Sequence, residues 1–358
     1  MGKDSKNKSK IPKVPFVSIC TPTFNRRPFI PIIIKCIENQ TYPKDKIEWI
    51  IIDDGTDKIE DLVSHIPYVK YFKYDEKMTI GKKRNLSNEK ATGEIIVYMD
   101  DDDYYPPDRI RHAVDMLRTS KALCAGSSTM FIYFKHINKM LQFGPYGPNH
   151  STAATFAFKR ELLTKTKFNE DASIAEERKF LKDYTIPFVQ LDPKKTILVF
   201  SHNHNSFDKK ELLKQMPNPC IHETPLLPND FVKEPEILKF FTEDIDLLLN
   251  NYDPGKPSNK PDVTKQMEEI RIERETKAQE EMKKHHEYQD TLNKINMLTN
   301  PQATQNKISE LTMTIQELSL ENNQLKEKVN YLNGKIKELI TMHMEKLKQL
   351  SNNNNNNI

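Results

Sequence analysis

Cysteine is scarce in this chain, long apolar runs are absent and no charge sign dominates, and each shortage excludes a class of protein. The four cysteines, Cys20, Cys36, Cys124 and Cys220, lie far apart and form no C-x-x-C pair. Neither a disulfide framework nor a thiolate zinc site is expected, and a reducing, cytoplasmic compartment fits best. No stretch approaches the roughly 20 apolar residues that span a bilayer. The start, residues 1–13, is polar and basic without the apolar centre of a signal peptide, so the expectation is a protein that is not secreted. Lys and Arg number 54 against 51 Asp and Glu, a formal charge of +3, and the only lysine-rich block is the first ten residues. Nothing in that balance requires a nucleic acid partner.

What remains is a polar chain of 358 residues, 29% of them charged, with a mean hydropathy of -0.71. It is too polar to be packed throughout, yet long enough for one sizeable core plus an extended part. Residues 14–20, 47–52 and 94–99 are short apolar runs rich in β-branched side chains, the pattern of buried strands, and residues 29–39 read as a helix between the first two. The second run leads into Asp53-Asp54-Gly55 and the third into four aspartates, Asp100 to Asp103. Strands alternating with helices and discharging polar residues at their carboxyl ends predict a largely parallel α/β sheet with its ligand site along that edge. Beyond it, strands are expected over 152–158 and 196–200 and a helix over 174–184, making an acceptor half of the same domain.

Prolines at 217, 219, 225, 228, 235, 254, 257 and 261 mark residues 211–262 as an irregular connector that either wraps the domain or links it to the rest. After it, residues 263–300 have the Glu, Lys, Gln and Met content of a charged helix, with Pro301 as a break. Residues 303–350 then carry a seven-residue repeat. Ile308, Ile315, Asn322, Val329 and Ile336 occupy one core position, and Leu311, Leu318, Leu325, Leu332 and Leu339 the other. Branched residues at the first position, Leu at the second and one Asn in the seam predict self-association as a parallel two-stranded coiled coil. A helix packed on its own domain would need a broader stripe than two positions in seven. The closing asparagine run, residues 351–358, is low-complexity and expected to be disordered.

The chemistry concentrates at Asp100 to Asp103. Carboxylates gathered at a strand end repel one another and lose hydration, a cost that a bound cation offsets. Hard oxygen ligands suit Mg2+ or Mn2+, which bind one or two carboxylates together with diphosphate oxygens. A solvated acidic turn is the ordinary alternative for such a run, and its place at the end of a strand in an α/β pattern favours the cation.

In order along the chain come residues 17–26 (VSICTPTFNR), 40–43 (QTYP), 51–56 (IIDDGT), 81–85 (GKKRN), 91–95 (ATGEI) and 98–103 (YMDDDD) ahead of Pro107-Asp108-Arg109. This succession resembles the motifs of family 2 glycosyltransferases with the GT-A fold, over about residues 14–207. The lysine, isoleucine and asparagine bias is also similar to that of glycosyltransferases of giant DNA viruses, which would place the protein in host cytoplasm or virion. The resemblance implies a domain over residues 14–210 that moves a sugar, with inversion, from a nucleotide diphosphate sugar, UDP-sugar first, to a hydroxyl of a glycan or protein acceptor.

It further implies that Thr21, Pro22 and Phe24 line the base with Asn25 or Arg26 nearby, and that Asp54 accepts a hydrogen bond from the base, which suits the imide of uracil, or else caps the next helix. Arg84 would pair with phosphate oxygens. The family's DxD motif falls on Asp100 and Asp102: Asp102 would bind the metal and Asp100 the ribose or, through water, the metal, with Asp101 and Asp103 as substitutes in a slipped register. The acidic pair that supplies the base falls on Glu176 and Glu177, with Glu177 favoured by its distance from Phe180. His202, or else His204, would join the metal. Two competitors are weighed against this. One is a catalytically inactive sugar-binding scaffold assembled through its coiled coil, which the intact carboxylate cluster disfavours. The other is a sugar nucleotidyltransferase, whose glycine-rich N-terminal signature is missing, since residues 21–26 hold no glycine.

Overall fold

Isoleucine-rich runs with no polar alternation can be satisfied only where both faces of a strand are covered, and the computed structural model, which describes residues 14–299 and 301–355, places them so. All seven residues of β1 (Val17–Thr23) and of β2 (Ile47–Asp53) are buried. Between them runs α1 (Ile30–Glu38), which follows a short 3-10 turn, Arg27–Phe29. Then come α2 (Glu60–Val63), β3 (Val69–Lys73), α3 (Ile80–Lys90), β4 (Ile95–Tyr98) and α4 (Arg109–Thr119). The acceptor half adds β5 (Cys124–Gly126), β6 (Met130–Phe134), β7 (Lys139–Phe143), β8 (Ala157–Lys159), α5 (Glu177–Phe180), β9 (Phe188–Gln190), β10 (Leu198–Ser201) and β11 (Ile221–Glu223).

The main sheet has the order β3-β2-β1-β4-β8-β5-β9. Strands β3 to β4 in that order are parallel, whereas β8 runs antiparallel to both its neighbours, so the sheet is mixed, not parallel throughout. Trp49, Ile51 and Val97 share a core with Ile33 and Ile37 of α1 and Ile110 and Val114 of α4. The alternate residues Ile50, Ile52, Ile96 and Tyr98 pack on Phe158, Phe168 and Phe180 on the other face. The register pairs Thr23 with Asp53 and Cys20 with Tyr98, so β1, β2 and β4 end along one edge. A second sheet, β10-β6-β7-β11, is joined through the bridge of Tyr104 with Leu198. That bridge brings the residues after β10 beside those after β4.

Two expected elements are shorter than the sequence pattern suggested. Residues 152–155 turn as a 3-10 segment, Ala153–Thr155, and only Ala157–Lys159 is strand. The helix expected over 174–184 is reduced to Glu177–Phe180, because Ala175 (φ 53) and then Lys182, Asp183 and Tyr184 (φ 50, 53 and 63) adopt left-handed backbone, which breaks a right-handed helix at both ends.

The proline-rich connector wraps the domain. It forms α6 (Pro228–Phe231), α7 (Pro235–Lys239), a π-helical turn (Phe240–Asp244) and α8 (Ile245–Asn250). Phe231, Ile237, Phe241 and Leu249 enter the main core, Phe241 stacking on Phe200 at 3.9 Å between ring centroids. The helices α9 (Pro261–Thr299) and α10 (Pro301–Asn355) follow. Contacts divide the chain into Met1–Arg271 and Ile272–Ile358. Within the second unit every apolar position of the heptad repeat is exposed, Leu332 at 50% and Ile315 at 66% being the extremes. Helix α10 takes the chain into the asparagine run as far as Asn355; the basic leader 1–13 and residues 356–358 lie outside the described residues. Among the described residues no helix is long and apolar enough to cross a membrane.

Candidate active site

The carboxyl ends of β1 and β4 open on a cavity of about 330 Å³. Pro22, Phe24 and Arg26 come to it from β1, Lys83 and Arg84 from α3, and Asp100, Asp101, Asp102 and Asp103 from the turn after β4. The acceptor half supplies Ser173 to Glu176, and the C-terminal segments supply Ser206, Phe207, Lys209, Lys260 and Asp262. Helix α3 has little apolar character, yet it buries Lys83, Arg84, Asn85 and Asn88 because that face turns toward the site. Its Gly81 allows the acceptor loop to pack directly on it: a Cβ there would lie 1.9 Å from the Asn169 carbonyl oxygen, and the Gly81 N–H donates to the Ala172 carbonyl at 2.9 Å.

Arg84 is the hub. Its Nη1 and Nη2 each donate to an Asp100 carboxylate oxygen at 3.1 Å, and its Nε donates to Glu176 Oε1 at 2.7 Å. The guanidinium also lies 4.5 Å from the centre of the Tyr98 ring. Its fork, expected to be open to phosphate, is thus occupied by Asp100, since a planar guanidinium buried among carboxylates satisfies them first. Arg84 ties the end of β4 to the start of α5.

The four aspartates differ in environment. Asp102 is gripped by Arg26, whose Nη2 lies 3.2 Å from Oδ2, and faces His202 Nε2 at 3.4 Å. Burial pushes the Asp102 carboxyl up, but the Arg26 guanidinium and His202 outweigh it and hold it well below the usual range. Asp101 is raised to about 7, by burial first, with Arg26 opposing and Asp102 adding repulsion; its Oδ2 has no hydrogen-bond partner. Asp103 is pushed well up by burial and by Asp102, and accepts only the Phe200 N–H at 3.4 Å. Behind them the fully buried Arg109 clamps the carbonyls of Tyr98, Thr155 and Phe156, so the motif after β4 is held from below.

Burial drives the imidazole of His202 down to about 3, so the ring is neutral, and its Nδ1 accepts the His204 N–H. With Nδ1 accepting, the neutral ring holds its proton on Nε2, toward Asp102 Oδ2, so His202 joins Asp102 as a cation ligand only in its other tautomer. Among the described residues no group of three His, Cys, Asp or Glu side chains is arranged to hold an ion. The residues fit a cation taking Asp102 from the protein, His202 after a change of tautomer, and the rest of its shell from diphosphate oxygens and water, as Mg2+ and Mn2+ commonly do. His204 points elsewhere, its ring beside Tyr252 and its Nδ1 buried without a partner.

Three residues expected at the nucleoside do not line the cavity. Thr21 is buried between Trp49 Nε1 and the Met99 carbonyl, because it points into the sheet. Asn25, at φ 53, accepts from Thr56 and Asp57 and donates to the Pro254 carbonyl, so it fastens the C-terminal segment. Asp54 is buried with one oxygen 2.8 Å from Lys83 Nζ and the other accepting the Met78 N–H at 2.5 Å. Of the acidic pair, Glu176 lines the cavity and Glu177 stands beside it, half-buried at the start of α5. The Glu177 carboxyl is raised to about 8, by burial first and then by Glu176, which makes it a stronger base once ionised than an ordinary carboxylate. The strained left-handed Ala175 just before them is of the kind found where a functional group is held in place.

Five charged cavity residues were not singled out from sequence: Lys77, Lys83, Lys209, Lys260 and Asp262. Lys83 sat visibly in the 81–85 motif. The others come from loops and from the connector, where no local pattern distinguishes a lining lysine from a solvated one.

Residues 18–185 match the family model described as glycosyl transferase family 2. The chain is similar to the poly(ribitol-phosphate) beta-N-acetylglucosaminyltransferase TarS of Staphylococcus aureus, 28% identical over 101 residues, which is 27% of this chain and 18% of that protein. It is similar also to the GalNAc(5)-diNAcBac-PP-undecaprenol beta-1,3-glucosyltransferase of Campylobacter jejuni, 33% identical over 97 residues, 25% of this chain and 30% of that one. The chain thus spans less than a third of either relative's length. Among solved structures, the mannosyltransferase PcManGT from Pyrobaculum calidifontis in complex with GDP-Man and Mn2+ aligns at a TM-score of 0.44 and 20% identity, over 54% of this chain and 59% of that one.

Proposed function

We propose that the protein is an inverting glycosyltransferase of the GT-A type, transferring a sugar from a nucleoside diphosphate donor, UDP-sugar first, to an acceptor hydroxyl on a glycan or protein in the cytoplasm. The observation that carries the reading is the convergence on one cavity of the aspartates after β4 and the acidic pair of the acceptor half, bridged by Arg84 through Asp100 and Glu176. The two carboxylate sets belong to segments far apart in sequence, and a solvated acidic turn would not gather them.

In this reading the ring of Phe24 and Pro22 form the apolar wall for the base, and Asp54 acts through Lys83 and the Met78 backbone it holds. A divalent cation would be held by Asp102, with His202 in its other tautomer, and would supply a Lewis acid for the charge that grows on the departing diphosphate. Asp100, fixed by Arg84, is assigned to the ribose. Glu177 takes the proton of the acceptor hydroxyl as that oxygen attacks the anomeric carbon from the side opposite the diphosphate. Glu176, bound to Arg84, orients the turn that carries it.

The second unit is proposed to pair two copies through α10, whose exposed heptad stripe has the width of a two-stranded seam and a single Asn322 within it. The transferase reading is tested by incubating the full chain with a panel of nucleotide sugars and Mn2+ or Mg2+ and measuring nucleoside diphosphate release. Release from at least one sugar, abolished by chelation, is the expected result. No release from any of them, by a folded protein, favours the non-catalytic scaffold.

A further inference from the structure

Six cationic side chains line the cavity, and four are neutralised. Arg26 pairs with Asp101 and Asp102, Lys77 with Asp262, Lys83 with Asp54, and Arg84 with Asp100 and Glu176. Among the described residues, Lys209 and Lys260 form no ion pair with a carboxylate. Lys260 is the more telling, being only 6% exposed, with its Nζ donating to the neutral hydroxyl of Ser206 at 2.9 Å. A buried ammonium without an ion-pair partner is costly, and burial, then the nearby Arg26, depresses its proton affinity well below the ordinary lysine value, although Asp102 and Asp101 oppose this from a distance. An anion entering the cavity would remove that cost.

The segment carrying Lys260 is fastened at several points around the cavity. On the donor side Asn25 Nδ2 donates to the Pro254 carbonyl at 2.9 Å and Tyr252 donates to Asp57 at 2.8 Å. Gly255 is packed so closely that a Cβ would lie 2.7 Å from His204 Nδ1. On the acceptor side, Asp262 pairs with Lys77 and accepts from Ser173 Oγ at 2.8 Å, while Gln266 Oε1 accepts the N–H groups of Ser173 and Ile174 at 2.7 and 3.0 Å. One short stretch thus spans the loop after β1 and the loop that leads to Glu176, with its lysine held between them. Such anchoring fixes the position of a charge that would otherwise move to solvent.

We infer that Lys260, with Lys209 lining the same cavity, is a built binding site for the diphosphate of the substrate, supplied by the C-terminal segments and not by the segment that resembles other transferases. The inference deepens the transferase reading and rests on it for the identity of the anion. The stretch carrying Lys260 then does two things at once: it adds positive charge where the leaving group develops negative charge, and it couples donor binding to the acceptor loop through Asp262 and Gln266.

The test is calorimetric titration of the full chain, in chelator and again in Mn2+, with inorganic pyrophosphate, UDP, GDP and uridine. Lys260→Met should weaken pyrophosphate and diphosphate binding by about 10- to 100-fold, the worth of a hydrogen bond to a charged group, and leave uridine unchanged. Lys260→Arg should restore most of the loss. If Lys260→Met unfolds the protein, Lys209→Met at the half-buried partner carries the same comparison. A folded Lys260→Met that binds pyrophosphate and UDP as the native chain does overturns the inference, even where nucleotide-sugar turnover upholds the transferase reading. Lys260-dependent pyrophosphate binding by a chain that turns over no nucleotide sugar overturns that reading and keeps the anion site. A native chain that binds none of the phosphate probes overturns both.

Discussion

Arg84 and Asp100 form a two-pronged ion pair, Nη1 and Nη2 each 3.1 Å from one carboxylate oxygen, and the same guanidinium reaches Glu176 through Nε at 2.7 Å. This single side chain joins α3, the end of β4 and the turn that leads into α5. Its removal should therefore be felt as a loss of architecture as well as of activity. Replacing it by Met leaves Glu176 buried without a counter-charge, which should cost about 3–5 kcal/mol in chemical denaturation. Arg84→Lys keeps the charge but not the fork, and should recover part of the stability and little of the transfer rate. A Met variant as stable as the native chain would refute this role.

Asp102 and its neighbour Asp101 differ enough to be separated by mutation. Asp102, ionised and opposite His202, is the cation ligand in the proposed mechanism; Asp101 sits beside it with one oxygen unpaired. Asp102→Asn should abolish donor turnover while leaving the melting temperature within a few degrees, because Arg26 keeps its contact with Asp101. An active Asp102→Asn paired with an inactive Asp101→Asn would move the metal to the neighbouring register.

The raised carboxyl of Glu177 makes two statements about pH. As a base it works only when ionised, so the rate should climb as pH passes through about 8, and Glu177→Gln should abolish transfer while leaving UDP affinity unchanged in calorimetry. For stability the sign is opposite. A folded carboxyl of about 8 against an unfolded one near the usual carboxylate value means the native state holds the extra proton between the two. Its contribution is fully present below the unfolded value and is lost as pH rises through about 8. Denaturation midpoints of native and Glu177→Gln protein across that window should diverge, the native chain losing more. Parallel curves would show that Glu177 titrates normally.

Asp54 and Lys83 close a buried pair at 2.8 Å, and Asp54 also holds the Met78 N–H at one wall of the cavity. Asp54→Ala should weaken UDP binding before it affects the chemical step, and should also lower stability, since it strands a buried ammonium. Calorimetry and thermal melting on the same preparation check both. A normal UDP affinity in a destabilised variant would make the pair purely structural.

In the tail, Asn322 can bond to its counterpart only when two parallel helices are in register, so it selects dimers at some expense of stability. Asn322→Ile should tighten association and mix the oligomeric states seen by light scattering. Deleting residues 303–358 should leave a smaller, active species. A monomeric full chain at micromolar concentration would overturn the pairing of α10.

Local pattern was enough for some features because their cause is local. The apolar runs that became β1, β2 and β4 read as buried strands from their own composition, and the polar residues that follow them were bound to emerge at one sheet edge once the strands ran parallel. The heptad stripe of α10 is likewise a property of spacing alone. Where the sequence misled, the deciding force was elsewhere in the chain. Residues 174–184 have helical composition, but left-handed backbone at Ala175 and at Lys182 to Tyr184 confines the helix to four residues. Arg84 looked available to phosphate until Asp100 and Glu176, 16 and 92 residues away, were brought against it. Lys260 gave no signal at all, since a lysine in a proline-rich connector becomes a cavity residue only when Asn25, Lys77 and Ser173 anchor the segment that carries it. Strand identity and the acidic motif thus followed from hydrophobicity and order along the chain, whereas the charge pairing of the site followed from burial, which forces each ionised group to find whichever partner the fold puts within reach.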